Sequence, residues 1–391
     1  MTWDMGGPDN QVFVDGVMMT LAQFPNTGAE VSHPAWGSAD DGSPHEFSGE
    51  TTWMIQDSAL NQPNGFWVGA EVTHMGTIDI YAQSGIVTGS SPGQVSFTTW
   101  HDLSSRQGIQ SGTHYYLSNV LGALDTAREW FYGGGTLYLW TPAGDNPTSH
   151  TVEAKRRAFA FDLKGRSYIT VHGLNLFAAS IDMDNSSSHN MIDGIRAKYV
   201  WHEMRIGVQG SYTQGDPKWG AWNTGIRLAG SDNTLQNCEI QYSSGNGVYL
   251  LGTHQKVTNC LIHDVAYRPA EAGGVSTMGE YYSGANTSDH EVSWNTIYNS
   301  GRYGVNHYYA MNMKILHNHI HDILLQTTDG GGTYTVKGRS SGEIAYNIIH
   351  DNRAAKYGVG IYMDNTSSDW LVHHNVVYRT PSEGALHNSY E

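Results

Sequence analysis

Gly225-Ile-Arg-Leu, Gly247-Val-Tyr-Leu, Gly274-Val-Ser-Thr, Gly304-Val-Asn-His, Gly332-Thr-Tyr-Thr, Gly360-Ile-Tyr-Met and Gly384-Ala-Leu-His recur at steps of 22, 27, 30, 28, 28 and 24 residues. A second series lies between them: Cys238-Glu-Ile, Cys260-Leu-Ile-His, Asn295-Thr-Ile-Tyr, Asn318-His-Ile-His, Asn347-Ile-Ile-His and Asn375-Val-Val-Tyr. Two interleaved short strands per repeat, with no helical periodicity between them, specify a solenoid of parallel β coils. Loops of variable length absorb the drift in period. Earlier coils begin with Ile169-Thr-Val-His-Gly-Leu-Asn-Leu and Asn190-Met-Ile-Asp-Gly-Ile-Arg-Ala, whose Gly173 and Gly194 stand 21 apart.

Alternation within each glycine-led strand separates inside from outside. The first and third residues after glycine are apolar or small in most coils (Ile226/Leu228, Val248/Leu250, Ile361/Met363) and point inward. The second residues, Arg227, Tyr249, Ser276, Asn306, Tyr334, Tyr362 and Leu386, point outward, as do Tyr308 and Asp364 in the fourth position. Stacked about 4.8 Å apart, they form a polar-aromatic stripe on which sugar rings could lie; aromatic ladders also stabilise bare sheets. The Gly/Trp-rich loop over 207–224 carries Trp219 and Trp222, and long loops on such a scaffold overhang the working face.

The 391-residue chain holds 46 glycines, 23 tyrosines and 12 tryptophans, with only 15% charged residues. That composition fits a turn-rich β protein better than long helices. A formal charge of -16 excludes nucleic acid as a partner, since no basic stripe offsets phosphate repulsion, and disfavours polyuronates. No apolar stretch approaches the ~20 residues of a membrane span, and the polar start Met1-Thr-Trp-Asp is no signal peptide. Both ends read as cut: the chain opens mid-pattern and stops at Glu391, just after a coil strand. Cys238 and Cys260 fill equivalent slots of adjacent coils and read as small buried residues, with a disulfide open but not indicated.

Before residue 169 the coil repeat is absent. Residues 11–26 read as a hairpin turning at Asp15-Gly16, and Gly/Ser-rich loops run to about residue 50. Alternating runs such as Phe66-Trp-Val-Gly-Ala-Glu-Val and Ile78-Asp-Ile-Tyr predict strands at sandwich-like spacing. Leu121–Trp130 is the one helix candidate, and Gly135-Thr-Leu-Tyr-Leu-Trp is a strand ended by Thr141-Pro142. These features divide the chain into N-terminal solenoid strands and loops (1–50), an inserted β-rich module (51–130) and the solenoid proper (131–391).

Asn295, Asn318, Asn347 and Asn375 share one slot, where stacked amides bond along the axis. The Ile-His-Asp triplets at 262–264, 320–322 and 349–351 repeat at one offset, so their histidines order a turn rather than ligate a transition metal. No cofactor is called for; loop oxygens are the ligand type a structural calcium would use. Two acids break the repeat: Asp329, before Gly330-Gly331-Gly332, and Asp364, on the outward face where other coils carry no acid. An acid pair on an aromatic stripe is what glycoside hydrolysis needs, one carboxyl protonating the leaving oxygen and the other attacking or activating water. As turn caps the two would be purely structural. On straight strands they stand seven residues, about 23 Å, apart, so they meet only if the glycine run bends the chain over the face. Glu271, at the offset of Asp329 two coils away, is the fallback partner. Lys337 and Arg339, just after the central strand, offer a base and a charge neutraliser for a polysaccharide lyase, or simply a solvated turn.

The segments Thr328-Asp-Gly-Gly-Gly-Thr-Tyr-Thr, Asn347-Ile-Ile-His-Asp-Asn, Gly360-Ile-Tyr-Met-Asp-Asn-Thr-Ser-Ser-Asp and His373-His-Asn-Val-Val-Tyr resemble bacterial right-handed parallel β-helix proteins. The nearest resemblance is to glycoside hydrolase family 141, with α-L-fucosidase and xylanase activities, and more distantly to family 120 β-xylosidases. Gln11-Val-Phe-Val-Asp-Gly, Phe24-Pro-Asn and Gly135-Thr-Leu-Tyr-Leu-Trp-Thr-Pro are similar too, so the resemblance covers nearly the whole chain. It implies an all-β, right-handed parallel β-helix with a small inserted β module near the N-terminus. It also implies a hydrolase of xylan or fucosylated side chains, at work in the extracellular or periplasmic space, with Asp329 and Asp364 at the matching catalytic positions. A first coil typical of the family is missing and the chain ends early, which puts turnover more in question than binding. A non-catalytic carbohydrate-binding β-helix is the third reading.

Overall fold

The computed structural model describes residues 10–27, 32–44, 52–76, 79–80, 82–99, 108–202, 225–268, 271–278, 287–336, 341–380 and 384–388. Among them the only helical turns are 3-10, at Leu121–Ala123 and Pro147–Ser149; the rest of the regular structure is strand. No helix among the described residues is long and apolar enough to cross a membrane. The chain forms two compact units, one mainly of Met1–Arg156 and the other mainly of Arg157–His202 with Gly220–Glu391.

The second unit is a parallel β-helix with three sheets. One stacks eight strands from Thr170–His172 to Leu371–His373, the next eight from Asn175–Phe177 to Val376–Tyr378, and the third seven from Ile226–Leu228 to Leu386–Asn388. Neighbours pair in parallel without crossing over. The sequence pattern gives two strands per coil, and the structure has three. The strands it misses, such as Thr234–Gln236, Lys256–Thr258 and Lys314–Leu316, are three residues long with one fully buried apolar residue each: Leu235, Val257 and Ile315. One apolar residue cannot show alternation.

Packing explains the glycine repeat. A methyl group built on Gly274, Gly304 or Gly332 would stand 2.4 Å from Cγ2 of Ile297, Ile320 or Ile349. These isoleucines are the inward residues of the second sheet, and they lie directly on the glycine backbone of the third. They join Ile226, Ile240, Val248, Ile262, Ile315 and Ile344 in one continuous apolar core.

The asparagine slot is a hydrogen-bonded ladder. Each Nδ2 of Asn295, Asn318 and Asn347 donates to the next Oδ1 at 3.0 Å. The same oxygens accept backbone N–H groups, as from Asn295 to Asn318 at 3.0 Å. Cys260 N–H enters the ladder at Asn295 Oδ1 (2.9 Å), and both cysteines are buried free thiols. Asn318 both accepts from Asn295 and donates to Val292 O and Asn347, so Asn318→Ala orphans several buried groups at once. It is expected to cost about 3 kcal/mol, read as a lower denaturant midpoint at unchanged m-value.

In the first unit, Val12–Val14 and Val17–Met18 pair antiparallel about Asp15-Gly16, whose φ angles of 50° and 75° are those of a two-residue hairpin turn. An eight-stranded sheet carries Trp53–Gln56, Glu71–Met75, Ala82–Ser91, Gln94–Thr99 and His114–Ser118 over a core of Trp53, Ile55, Val72, Phe97, Tyr115 and Leu117. Within Phe66–Val72 the strand begins only at Glu71, and Ile78 and Tyr81 lie outside the described residues. The expected helix over 121–130 is a single turn, Leu121–Ala123, followed by the strand Glu129–Gly133. Trp130, Phe131 and Tyr132 pair with Leu139, Tyr138 and Leu137, and aromatic side chains favour that pairing over a helix.

Candidate active site

The third sheet aligns its outward residues in register: Arg227, Tyr249, Ser276, Asn306, Tyr334, Tyr362. The last coil corrects the sequence reading. Leu386 pairs with Ile361, and it is His387 that continues the column beyond Tyr362. Ala385, not Gly384, stands opposite Gly360, whose built methyl would meet Ala385 O at 2.7 Å. Asn388 accordingly pairs with Met363, while Asp364 pairs with Val336.

The column is also more covered than an open stripe would be. Tyr249, Ser276, Asn306 and Tyr334 are buried, and Arg227, Tyr362 and His387 are half-buried. For Tyr334 the cause is its neighbours: Tyr303 stacks on it at 4.6 Å, Tyr362 meets it edge-on at 5.2 Å, and Tyr308 tilts against it at 5.9 Å.

Asp329 and Asp364, seven residues apart in straight register, come together on one atom. The Tyr362 hydroxyl lies within hydrogen-bonding reach of both carboxyls. The chain bends at Gly331, where a methyl group would lie 2.7 Å from Thr333 O, 3.1 Å from Val359 O and 3.2 Å from Tyr362 Cβ. Only glycine lets the backbone pass that close to Tyr362, and Asp329 enters the bend with φ at +57°. Two carboxyls bridged by one hydroxyl have their nearest oxygens about 5 Å apart, close to the carboxyl separation of retaining glycosidases.

Asp364 is held by donors. Tyr334 O–H donates to Oδ2 at 2.9 Å, and Asn365 N–H to Oδ1 at 2.8 Å. Burial first, then the nearby tyrosine and aspartate charges, keeps Tyr334 and Tyr362 well above the ordinary phenol range, so both are protonated donors.

Glu271 occupies a second layer. Arg302 Nη1 meets its Oε1 at 2.9 Å, and Tyr303 O–H donates to its Oε2 at 3.0 Å. The Arg302 guanidinium lies over the Tyr303 ring, 4.5 Å from its centre. Burial raises Glu271 against the opposing pull of Arg302 and Tyr303, and the charge of Asp329 raises it further. Glu271 thus supports Tyr303, which stacks on Tyr334, which bonds Asp364. Sequence reasoning missed Arg302 and Tyr303. Their signal was an arginine just before a glycine-led strand, one coil after an acid.

Arg227 lies elsewhere. Five coils from Tyr362, about 24 Å, it meets Asp182 Oδ1 at 2.5 Å, and Lys164 takes the other oxygen of Asp182 at 2.7 Å. Tyr249 is its neighbour in the column, buried and remote from the acids. Trp219, Trp222, Lys337 and Arg339 lie outside the described residues.

The repeated histidines order turns. Nδ1 of His263, His321 and His350 bonds Asp264, Asp322 and Asp351 at 2.6, 2.8 and 2.6 Å, each aspartate at φ between +49° and +54°. The rings stack between coils, His321 on His350 at 5.1 Å and His350 on Tyr378 at 4.7 Å. Among the described residues no group of three or more His, Cys, Asp or Glu side chains is arranged to hold a metal ion.

A family model described as a right handed beta helix region matches residues 220–390. A solved glycoside hydrolase is similar over 97% of this chain and 76% of its own, at 12% identity and a TM-score of 0.64. The catalytic unit of a thermostable GH87 α-1,3-glucanase from Streptomyces thermodiastaticus strain HF3-3 aligns over 98% of this chain and 96% of its own, at 10% identity and a TM-score of only 0.28. The Azotobacter vinelandii mannuronan C-5 epimerase AlgE4 A-module covers 59% of this chain and 74% of its own, at 11% identity and a TM-score of 0.27. A search of curated proteins finds no match. Together with the three stacked parallel sheets, the family model and the first of these structures identify the fold as a right-handed parallel β-helix.

Proposed function

We propose that this β-helix is a glycoside hydrolase with Asp329 and Asp364 as its catalytic pair. One observation carries the reading: both carboxyls converge on the Tyr362 hydroxyl. A phenol has a single proton and can donate it to only one of them. The other carboxyl then bonds the phenol oxygen with its own proton, so the arrangement favours one acid and one carboxylate. That asymmetry is what glycosidic cleavage requires.

Tyr334 O–H and Asn365 N–H each donate to one oxygen of Asp364 and fix its carboxyl in place. Asp364 accordingly serves as nucleophile or as base toward water, and Asp329 protonates the leaving oxygen. Among the described residues, Arg302 beside the pair is already matched by Glu271, which favours a neutral sugar over a uronate. Xylan or fucosylated side chains of plant cell walls are the proposed substrates, on the strength of the sequence resemblance. Such polymers place the work in the extracellular or periplasmic space. No cofactor takes part.

The test is product analysis on xylans, fucosylated glycans and pectins, following new reducing ends together with unsaturated uronate. Reducing ends without unsaturation are expected, from a xylan or a fucosylated glycan. Unsaturated products would replace this reading with a lyase.

A further inference from the structure

The turn between the first and second sheets holds one residue of each coil in the left-handed region, with φ between +53° and +68°. Earlier coils put Gly173, Gly194, Asn237 and Asn259 there, and the later ones Trp294, His317, Tyr346 and His374. The backbone joins them in one column, as where Asn259 N–H bonds Ser293 O and Trp294 N–H bonds Leu316 O, both at 3.1 Å. Glycine and asparagine tolerate this conformation, whereas it is costly for tryptophan and tyrosine. The later coils therefore hold aromatic rings where the backbone disfavours them. The rings stack, Trp294 on His317 at 4.1 Å, His317 on Tyr346 at 4.8 Å and Tyr346 on His374 at 4.9 Å. Mutual stacking accounts for His317 and Tyr346, which have a ring on either side. It does not account for Trp294, the largest ring, set at the open end and 60% exposed. One indole face lies on His317. On the other side the adjoining coil offers only the exposed Asn259, whose amide donates away from the indole, to Asn237 Oδ1 at 2.8 Å.

We propose that Trp294 is a surface binding site for the backbone of a neutral polysaccharide, separate from the acid pair. The inference rests on the carbohydrate reading above. A pyranose with equatorial hydroxyls has an apolar face of axial C–H bonds that packs flat on an aromatic ring, while its hydroxyls project from the edge. Xylose and glucose units of β-1,4-linked chains are of this kind. Among the described residues the Asn259 amide makes one side-chain hydrogen bond, so its Oδ1 and second amide hydrogen supply an acceptor and a donor at the sugar's edge. Beside the turn, the first sheet presents Lys256, Glu291 and Lys314 in one row, with Lys256 and Glu291 paired at 3.1 Å. A protein partner would need an apolar patch at the centre of its interface; a single flat ring in a charged setting fits a sugar. The acids sit on the third sheet, and Trp294 stands at the corner where the other two sheets meet. A long chain can therefore be held at both places, which raises its effective concentration at the acids, whereas a short oligosaccharide gains nothing from Trp294.

Trp294→Asn tests the site, because it gives the turn the residue that Asn237 and Asn259 supply in the preceding coils, one that suits the φ of +60°. The melting midpoint is expected to stay within about 2 °C of the parent. Binding is read by affinity electrophoresis in native gels containing soluble xylan or xyloglucan, with every protein also carrying Asp364→Asn so that the polymer stays intact. Retardation about three- to tenfold weaker with Trp294→Asn is expected, and Trp294→Tyr, which keeps an aromatic face, should restore most of it. With Asp364 intact, Trp294→Asn should cleave a short oligosaccharide as fast as the parent. Equal retardation of the Trp294→Asn protein and its parent, or none of either, contradicts the site. A midpoint several degrees lower, with retardation that Trp294→Tyr does not restore, would make the stack structural and also overturn it. Retardation that depends on Trp294 in a protein that releases no reducing ends supports the site and defeats the hydrolase reading alone. Reducing ends together with retardation indifferent to Trp294 do the reverse.

Discussion

Asp364→Asn is expected to lower kcat by about 10³-fold or more while moving the melting midpoint by no more than a few degrees. The substitution keeps the shape of the side chain. An amide oxygen can still accept from Tyr334 O–H, which now meets Asp364 Oδ2 at 2.9 Å, and the last strand pairing of Asp364 with Val336 is a backbone matter. What disappears is the negative charge and the capacity to attack or to take a proton. Asp329→Asn should be as damaging by the complementary route, since an amide cannot protonate a leaving oxygen. It also cannot offer the acid proton that completes the arrangement on Tyr362. Reducing-end release under saturating substrate, with melting curves of the same preparations, checks both halves of the expectation. Near wild-type kcat in Asp364→Asn would remove Asp364 from the chemistry.

Arg302→Met is expected to destabilise the β-helix by about 3–5 kcal/mol. Arg302 and Glu271 keep only 2% and 5% of their side chains exposed and meet at 2.9 Å. Removing the cation leaves Glu271 buried without its counter-charge. It also takes the guanidinium from the face of Tyr303. Since Tyr303 stacks on Tyr334 and Tyr334 holds Asp364, kcat should fall as well, although neither Arg302 nor Glu271 touches the reacting atoms. The partner test is Glu271→Leu together with Arg302→Met, which removes both charges and should cost less than Arg302→Met alone, because buried pairs are often replaced by apolar groups at little cost. Denaturant titration measures both. A double variant as unstable as Arg302→Met alone, or more so, would mean that the two residues are not coupled.

The repeat of glycine and isoleucine made the solenoid legible, because each coil has to bring a second-sheet isoleucine onto a third-sheet glycine. The asparagine ladder was legible for a similar reason: four amides at one slot have one another as partners. The sheet that runs from Thr170–His172 to Leu371–His373 was not, because strands such as Thr234–Gln236 hold one buried residue each. Nor was the turn over Leu121–Ala123, where a short apolar run imitates a helix until the aromatic strand at Glu129–Gly133 is paired.

In the site, Asp329 and Asp364 stood out as breaks in a repeat, but straight-strand geometry held them about 23 Å apart. The bend at Gly331 that joins them depends on contacts with Val359 O and Tyr362 Cβ in the following coil, which sequence spacing does not express. Arg227 illustrates the opposite error. It shares the outward column, yet its charge is spent on Asp182, an acid outside the repeat. Glu271 was found as an acid at the right offset. Its actual setting, a buried pair with Arg302, could be read only once neighbouring coils were superposed.

The measurement that bears most directly on the paired-aspartate site is the turnover of Asp329→Asn, Asp364→Asn and the double variant on the polysaccharide that the parent protein cleaves. Two groups acting as one unit lose nearly all activity with either single change, and the double variant then falls no further than about the worse single. Losses in the two singles that multiply in the double variant, or a single variant that retains near-parental kcat, would contradict a catalytic pair joined through Tyr362.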